Sequence, residues 1–231
     1  MAVGPHRVSH TGSSEAVEDY AKAIYALQAR AGGEPVSTND LADRLGVTPA
    51  SASAMVKKLA ELGLVDHVPY RGTTLTGEGQ RLALEVLRHH RLLELYLAEH
   101  LGVPWDRVHE EAEALEHVLS EYLESRIAAK LGDPKVDPHG DPIPSASLLI
   151  DEGDTRSLAD LGAGDRGRFI RVSDSDPDML RYLHDRGIGI GDALEVLDVQ
   201  PFEGPMTVRF GDELHTLGGG LARAMRVERT A

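Results

Sequence analysis

The sequence predicts an α+β chain of several domains: a winged helix-turn-helix, an all-α middle part, and a small β-barrel. Three observations carry that prediction. Short capped helical segments fill the first third, long apolar-periodic runs fill the middle, and the apolar period switches to two after a proline-rich stretch. With 231 residues, the chain is long enough for one large domain or a few small ones. Hydrophobic residues at 41% and charged residues at 27% predict a packed core. The chain contains no cysteine, which excludes disulfides, thiolate nucleophiles and cysteine-ligated metal sites. Aromatic residues at 4% argue against a base-stacking platform for single strands. No apolar run approaches the roughly 20 residues of a membrane span, and no basic-then-apolar leader opens the sequence. A cytoplasmic protein with no membrane contact is the expectation.

The net charge of −14 is unevenly distributed. Up to Leu75 there are 7 basic and 8 acidic residues, and beyond it 17 and 30. The first third is therefore nearly neutral and free to present a basic face to DNA, whereas the acidic remainder repels phosphate and attracts cations.

Met1 to Gly12 show no periodicity and read as a tail. Val17, Tyr20, Ile24 and Leu27 share one helical face, and Gly32-Gly33 ends that helix. Ser37-Thr38-Asn39-Asp40 reads as a capping box before a short helix closed by Gly46. Thr48-Pro49 supplies an N-cap and a first-turn proline for the next helix, to Leu62. The runs 64–68 and 73–75 flank Tyr70-Arg71-Gly72 as a hairpin. Thr76 caps a long helix to about Leu101, and Pro104 opens a second to about Leu131. Prolines 134, 138, 142 and 144 mark a linker. Strand patterns follow at 168–172, 193–199, 206–210 and 223–227, with one helical turn near Pro177 to His184. Gly187 to Gly191 reads as a barrel turn rather than a dinucleotide loop, because strand pattern follows it.

Residues 38–62 have helix-turn-helix spacing. Ala42 is small enough for close helix approach, and Gly46 takes the turn. Ala52, Val56 and Leu59 form the buried stripe of the second helix. That leaves Thr48, Pro49, Ala50, Ser51, Ser53, Lys57 and Lys58 at its start and outer face, with Tyr70 and Arg71 at the wing tip, as candidate contacts to double-stranded DNA. A helical hairpin that merely packs is the alternative. No arginine lies on the recognition surface, so shape and thymine-methyl contacts through Ala50 and Ala54 are expected to outweigh guanine reading.

On the helix from Pro104, His109, Glu113, Glu116, His117 and Ser120 fall within an arc of roughly 100° beside the apolar stripe. His90 and Glu94 form an i, i+4 pair on the helix before it. Acids at a helix–helix seam need a counter-charge. A divalent cation answers that need, and a solvated face bridged by Arg91, Arg107 or Lys22 is the alternative. Carboxylates with imidazole and no thiolate suit Mn²⁺ or Fe²⁺. His6, His10, His89, His100, His139 and His184 lack such company and are expected at the surface.

Glu18-Asp19-Tyr20, the winged helix, His90-Arg91-Leu92-Leu93-Glu94, the run 108–113, Glu116-His117 and the run 137–144 together resemble the diphtheria-toxin-repressor family of metal-dependent regulators. The resemblance runs from about residue 14 to 228 and includes an SH3-like C-terminal domain of the FeoA type. It implies a DNA-binding domain over 1–75, a helical dimerisation and metal-binding domain over 76–145, and the SH3-like domain over 150–231. It further implies a homodimer that represses metal-uptake genes, with two metal sites per subunit. Carried over by motif, the primary site is Asp19, Glu113, Glu116 and His117; acids rather than sulfur at the first two positions resemble the manganese branch, with Fe²⁺ as the alternative. The ancillary site is His90, Glu94 and His109, completed by Asp176, with Met179 at the other barrel position and Asp174 and Asp178 as substitutes. Lys22 stands where two-domain manganese regulators carry glutamate, which implies separated sites. A helical di-metal carboxylate enzyme and a winged-helix regulator of an organic ligand are the competing classes; no His-Glu-x-x-His or activated nucleophile supports the enzyme.

Overall fold

Acids in the first turn and Arg30 in the last suit the dipole of helix α1 (Glu15–Arg30), and its Val17, Tyr20, Ala21 and Ile24 are buried. The computed structural model describes residues 14–68, 71–202 and 204–230, so the expected tail, His6 and His10, and Tyr70 lie outside the described residues. The chain forms two compact units. The first takes in the chain up to His89, with Leu115–Arg126 and Ala146–Leu148; the second takes in His90–Ala114, Ile127–Ser145 and Leu149 onward.

In the first unit, hydroxyl caps decide where helices begin. Ser37 Oγ accepts from the Asp40 N–H at 3.1 Å and opens α2 (Thr38–Leu45). Gly46 ends that helix in the left-handed region at φ 64°, which only glycine adopts cheaply. Thr48 Oγ1 accepts from the Ser51 N–H at 3.1 Å, and Pro49 starts α3 (Pro49–Glu61) with no N–H to waste. Ala42, Ala52, Val56 and Leu59 are buried with the α1 stripe in one core. Withdrawing a side chain such as Leu59 from water contributes roughly 1.5–3 kcal/mol. Strands β1 (Val65–Val68) and β2 (Gly72–Leu75) pair antiparallel, with Val65 opposite Leu75 and Val68 opposite Gly72. Thr76 then accepts from Gly79 N–H at 3.2 Å and opens α4 (Gly77–Leu101). Gly79 is required there, since a Cβ would lie 1.9 Å from the Leu64 carbonyl oxygen.

The second long helix expected from Pro104 to Leu131 is interrupted. α5 (Val108–Leu115) gives way to a 3-10 turn at Glu116–Val118, and α6 (Glu121–Lys130) starts afresh. Leu119 breaks the helix with an extended backbone (ψ 117°), and Ser120 Oγ accepts from the Leu123 N–H at 3.3 Å to begin the next. One helical arc therefore does not describe residues 109–120. The break leaves Glu116 buried at 1% exposure rather than at the edge of an apolar stripe.

The second unit is built on an antiparallel sheet in the order β3-β8-β4-β5-β6-β7. Its strands are β3 (Arg156–Ser157), β4 (Arg166–Val172), β5 (Ala193–Val199), β6 (Met206–Phe210), β7 (Glu213–Leu217) and β8 (Met225–Thr230). Irregularities at Phe169/Arg171 and Val196/Asp198 bend it, as bulges do. α7 (Pro177–His184) and α8 (Gly219–Ala224) add Leu180, Leu183 and Leu221 to a core of Phe169, Val196, Val208 and Val227. The sequence pattern anticipated β4, β5 and β6 and α7. It missed β3 and β7, which are short or largely exposed and have no strong period. The proline-rich stretch is no loose linker, because Asp137, His139 and Ile143 are buried in it. Gly140 allows this at φ 83°, where a Cβ would lie 1.8 Å from the Ile170 carbonyl oxygen.

A buried ion pair within the first unit joins α4 to α6. Arg88 Nε donates to Glu124 Oε1 at 2.6 Å, and His89 Nε2 lies 3.3 Å from Glu124 Oε2. Burial alone would raise the Glu124 carboxyl, but the hydrogen bonds and charges of His89 and Arg88 hold it at about 2. Removing Arg88 takes away the closer of the two basic groups beside the buried Glu124 carboxylate. We expect Arg88→Leu to lose about 3–5 kcal/mol at neutral pH, read by urea denaturation. Because the folded carboxyl titrates below its unfolded value of ~4.3, its stabilisation is full above that value and is lost as pH falls through about 2. The gap between wild type and variant therefore narrows in acid.

Candidate metal centres and DNA-contacting helix

In the first unit, α1 presents Glu18, Asp19 and Lys22 one turn apart, and the 3-10 turn presents Glu116 and His117. His117 Nε2 lies 3.0 Å from Asp19 Oδ1 and 3.5 Å from Glu116 Oε1. One donor atom from each of Asp19, Glu116 and His117 falls within 4.8 Å of the others, the spread one cation can span. On the other side of the ring, His117 Nδ1 is 2.6 Å from Glu18 Oε2. A carboxylate there accepts a hydrogen bond from Nδ1–H and leaves Nε2 to face the group, the usual support of a ligating histidine. Burial would lower the pKa of His117, but the Glu18 hydrogen bond and the charges of Glu116, Asp19 and Glu18 raise it. Lys22 Nζ donates to Glu116 Oε1 at 2.6 Å, so the buried carboxylate carries its own counter-charge.

A second group lies within the second unit. His90 Nε2 is 3.0 Å from Glu94 Oε1 and 3.1 Å from His109 Nδ1, and His109 Nδ1 is 3.3 Å from Glu94 Oε1 and 3.0 Å from Asp174 Oδ2. These nitrogens and oxygens converge on one point. Burial would lower the His109 pKa, yet its bonds to Asp174 and Glu94 raise it to about 10. Burial would likewise raise the Asp174 carboxyl, and His109 holds it at about 2. Protons and ion pairs thus balance the group in the structure. Its donors, two imidazoles with two carboxylates and no sulfur, fit a first-row divalent cation such as Mn²⁺ or Fe²⁺, and the oxygen-rich first group does so too.

The aspartate in this second group is Asp174, not the expected Asp176. Asp176 is the N-cap of α7, and its Oδ1 accepts from the Asp178 N–H at 3.0 Å, which ties the side chain to its own helix. Asp178 is also turned away and pairs with Arg181. Glu113 lies in the second unit, 4.0 Å from His90 Nδ1 and 3.8 Å from His109 Nε2. Sequence reasoning named Glu18 only as part of the Glu18-Asp19-Tyr20 motif and gave it no place at the site. It also put His89 and His139 at the surface, whereas both are buried, at 9% and 0% exposure. The run Asp137-Pro138-His139-Gly140 held the available clue for His139, since an invaginated turn needs its glycine.

Ala50, Ser51, Ser53, Ala54, Lys57 and Lys58 are exposed along one side of α3, opposite buried Ala52, Val56 and Leu59. Thr48 and Pro49 are exposed at its start, where the first N–H groups and the helix dipole favour an anion. Arg71 is exposed beside the β1–β2 turn.

Three family models cover most of the chain: the iron-dependent repressor N-terminal DNA-binding domain over residues 13–73, its metal-binding and dimerisation domain over 76–145, and the FeoA domain over 156–229. The iron-dependent repressor IdeR of Mycobacterium tuberculosis is 31% identical over 227 residues, covering 93% of this chain and 97% of that protein. The diphtheria toxin repressor of Corynebacterium glutamicum is 31% identical, with 93% and 96% covered. Among solved structures, a manganese-dependent transcriptional repressor in complex with manganese superimposes with a TM-score of 0.85 at 43% identity, covering 93% of this chain and all (100%) of that one. The manganese regulator SloR gives 0.76 at 34% identity, with 93% and 98% covered. These are transcriptional repressors, which sets the enzyme alternative aside. The chain belongs to the iron-dependent repressor family of metal-dependent, DNA-binding transcriptional regulators, with a FeoA-type SH3-like domain at its C-terminal end.

Proposed function

We propose that this chain is a manganese-responsive repressor that binds its operator as a homodimer, with Fe²⁺ as the alternative effector. The observation that carries the reading is the convergence of Asp19, Glu116 and His117, acids and one imidazole from two separate chain segments of a single unit. Asp19 takes a position where sulfur would mark iron, and hard oxygen suits manganese. Asp19, Glu116 and His117 would hold one cation, and His90, Glu94, His109 and Asp174 another. When bound, a divalent cation supplies positive charge and a cross-link among these side chains.

The residues themselves explain why such a link reaches DNA. α1 carries Asp19 on one face and packs Val17, Tyr20 and Ile24 into the core shared with α2 and α3 on the other. Fixing Asp19 against Glu116 and His117 therefore fixes the helix-turn-helix relative to residues 115–126. In a dimer, two recognition helices must match successive major grooves, about 34 Å apart or a multiple of it, so a constraint on that angle decides operator affinity. Lys22 already neutralises Glu116, which favours a single cation in this group and two separated sites per subunit. Thr48, Pro49, Ala50, Ser51, Ser53, Lys57 and Lys58, with Tyr70 and Arg71 of the wing, form the DNA surface.

Asp19→Ala is expected to abolish the Mn²⁺ dependence of operator binding, a loss of at least ~100-fold at saturating metal, while sedimentation still shows a folded dimer. A normal Mn²⁺ response in that variant would contradict the reading. Lys57→Ala and Lys58→Ala are each expected to weaken operator and non-specific DNA alike and to reduce the salt slope by about 1, measured by fluorescence anisotropy across a salt series. A loss confined to the operator would instead mean base contact.

A further inference from the structure

Gln28 stands where the apolar spacing of α1 calls for another apolar side chain. It lies one turn after buried Ile24, near the end of the helix, and is half-buried. Its backbone is fixed there, because its carbonyl accepts from the Gly33 N–H at 2.8 Å as the helix closes. Its side chain reaches out of the helix to the wing. Gln28 Oε1 accepts from the Leu75 N–H at 3.1 Å, a bond across 47 positions to the last residue of β2. Only the amide oxygen can accept, so the partner sets the orientation of the side chain.

This bond fills a gap left by the strand pairing. On the outer edge of β2, Thr73 and Val36 exchange both backbone hydrogen bonds, each at 2.9 Å. Leu75 faces the same way as Thr73, and a continued ladder would set it against residue 34. Glu34 belongs instead to the turn that closes α1, where its N–H donates to the Ala31 carbonyl at 3.4 Å. The acceptor for Leu75 therefore comes from a side chain of α1, and Leu27 and Leu75 both pack against the core of the first unit. The other strand of the wing follows a different helix, since the Leu64 N–H just before β1 donates to the Leu59 carbonyl of α3 at 3.0 Å. The wing is thus tied twice, by β1 to α3 and by β2 to α1.

α1 is also the helix that carries Asp19. Nine positions separate Asp19 from Gln28, which at 3.6 residues per turn is about 13 Å along the axis and about 180° around it. One helix thus meets the Glu116–His117 group on one face and the wing on the other. We infer that Gln28 is a positioning residue for DNA binding: it makes the wing follow α1, so that a cation held at Asp19 sets the place of Arg71 as well as that of α3. The inference rests on the metal reading proposed above and adds a path to DNA that does not run through α2 and α3.

The test is amide hydrogen exchange of the full chain, read by mass spectrometry with and without Mn²⁺, for wild type, Gln28→Leu and Gln28→Glu. Leucine removes the acceptor at similar size, and glutamate keeps it. In the wild type, Mn²⁺ is expected to slow exchange in α1 and across residues 72–75 by at least about fivefold. In Gln28→Leu the slowing should persist in α1 and vanish from the wing, and Gln28→Glu should restore it there. On the duplex that the wild type selects from a random-sequence pool in Mn²⁺, Gln28→Leu should weaken binding about tenfold. Adding Arg71→Ala to it should then cost less than Arg71→Ala costs alone. Equal slowing of the wing in Gln28→Leu and wild type, or strictly additive losses with Arg71→Ala, would overturn the inference and leave the metal reading standing. An α1 that ignores Mn²⁺ in the wild type would overturn the metal reading and this inference with it. Should Gln28→Leu not fold, Gln28→Asn, which draws the same amide back by one methylene, is read in the same way.

Discussion

A carboxylate buried without exposed surface must have a cation beside it, and Glu116 is that carboxylate in the first unit. Much of what surrounds it follows from the requirement. Lys22 reaches it from α1, His117 is turned toward it, and Glu18 holds the far side of the His117 ring. The charges fit together only when α1 and the 3-10 turn are in register. Any change in what neutralises Glu116 is therefore a change in how the opening helix is held, and the core of Val17, Tyr20 and Ile24 carries that helix's position into α2 and α3.

The second group solves the same problem with different chemistry. Two imidazoles meet two carboxylates, and His109, raised to about 10, is paired with Asp174, lowered to about 2. A proton there plays the part a cation would play. Ligand histidines must shed that proton, so metal affinity in both groups is tied to pH and rises as protons become scarce. The Asp137–Pro144 turn, lodged against β4 through Gly140, brings Asp137 and His139 to the reverse side of Glu94.

Residue patterns made much of the fold legible. Ser37, Gly46 and Thr48-Pro49 are local signals, and each has the local consequence its chemistry requires. The period-two runs of β4, β5 and β6 were equally plain because alternate residues face a core. Features decided by distant partners were not legible. The break after Leu115 has no proline or glycine to announce it, and it arises where Glu116 is drawn to Lys22, 94 positions earlier. Asp174 and Asp176 lie two residues apart, and only the N-cap of α7 separates a helix-tied carboxylate from one that reaches His109. The burial of His139 depends on a loop docking onto a strand, which spacing alone does not encode.

Diffraction from crystals grown with excess Mn²⁺, collected near the manganese absorption edge, tests the central claim most directly. The account predicts an anomalous peak within ligand distance of Asp19, Glu116 and His117, tying α1 to the 3-10 turn. A featureless map there, with Lys22 still paired to Glu116, would contradict it.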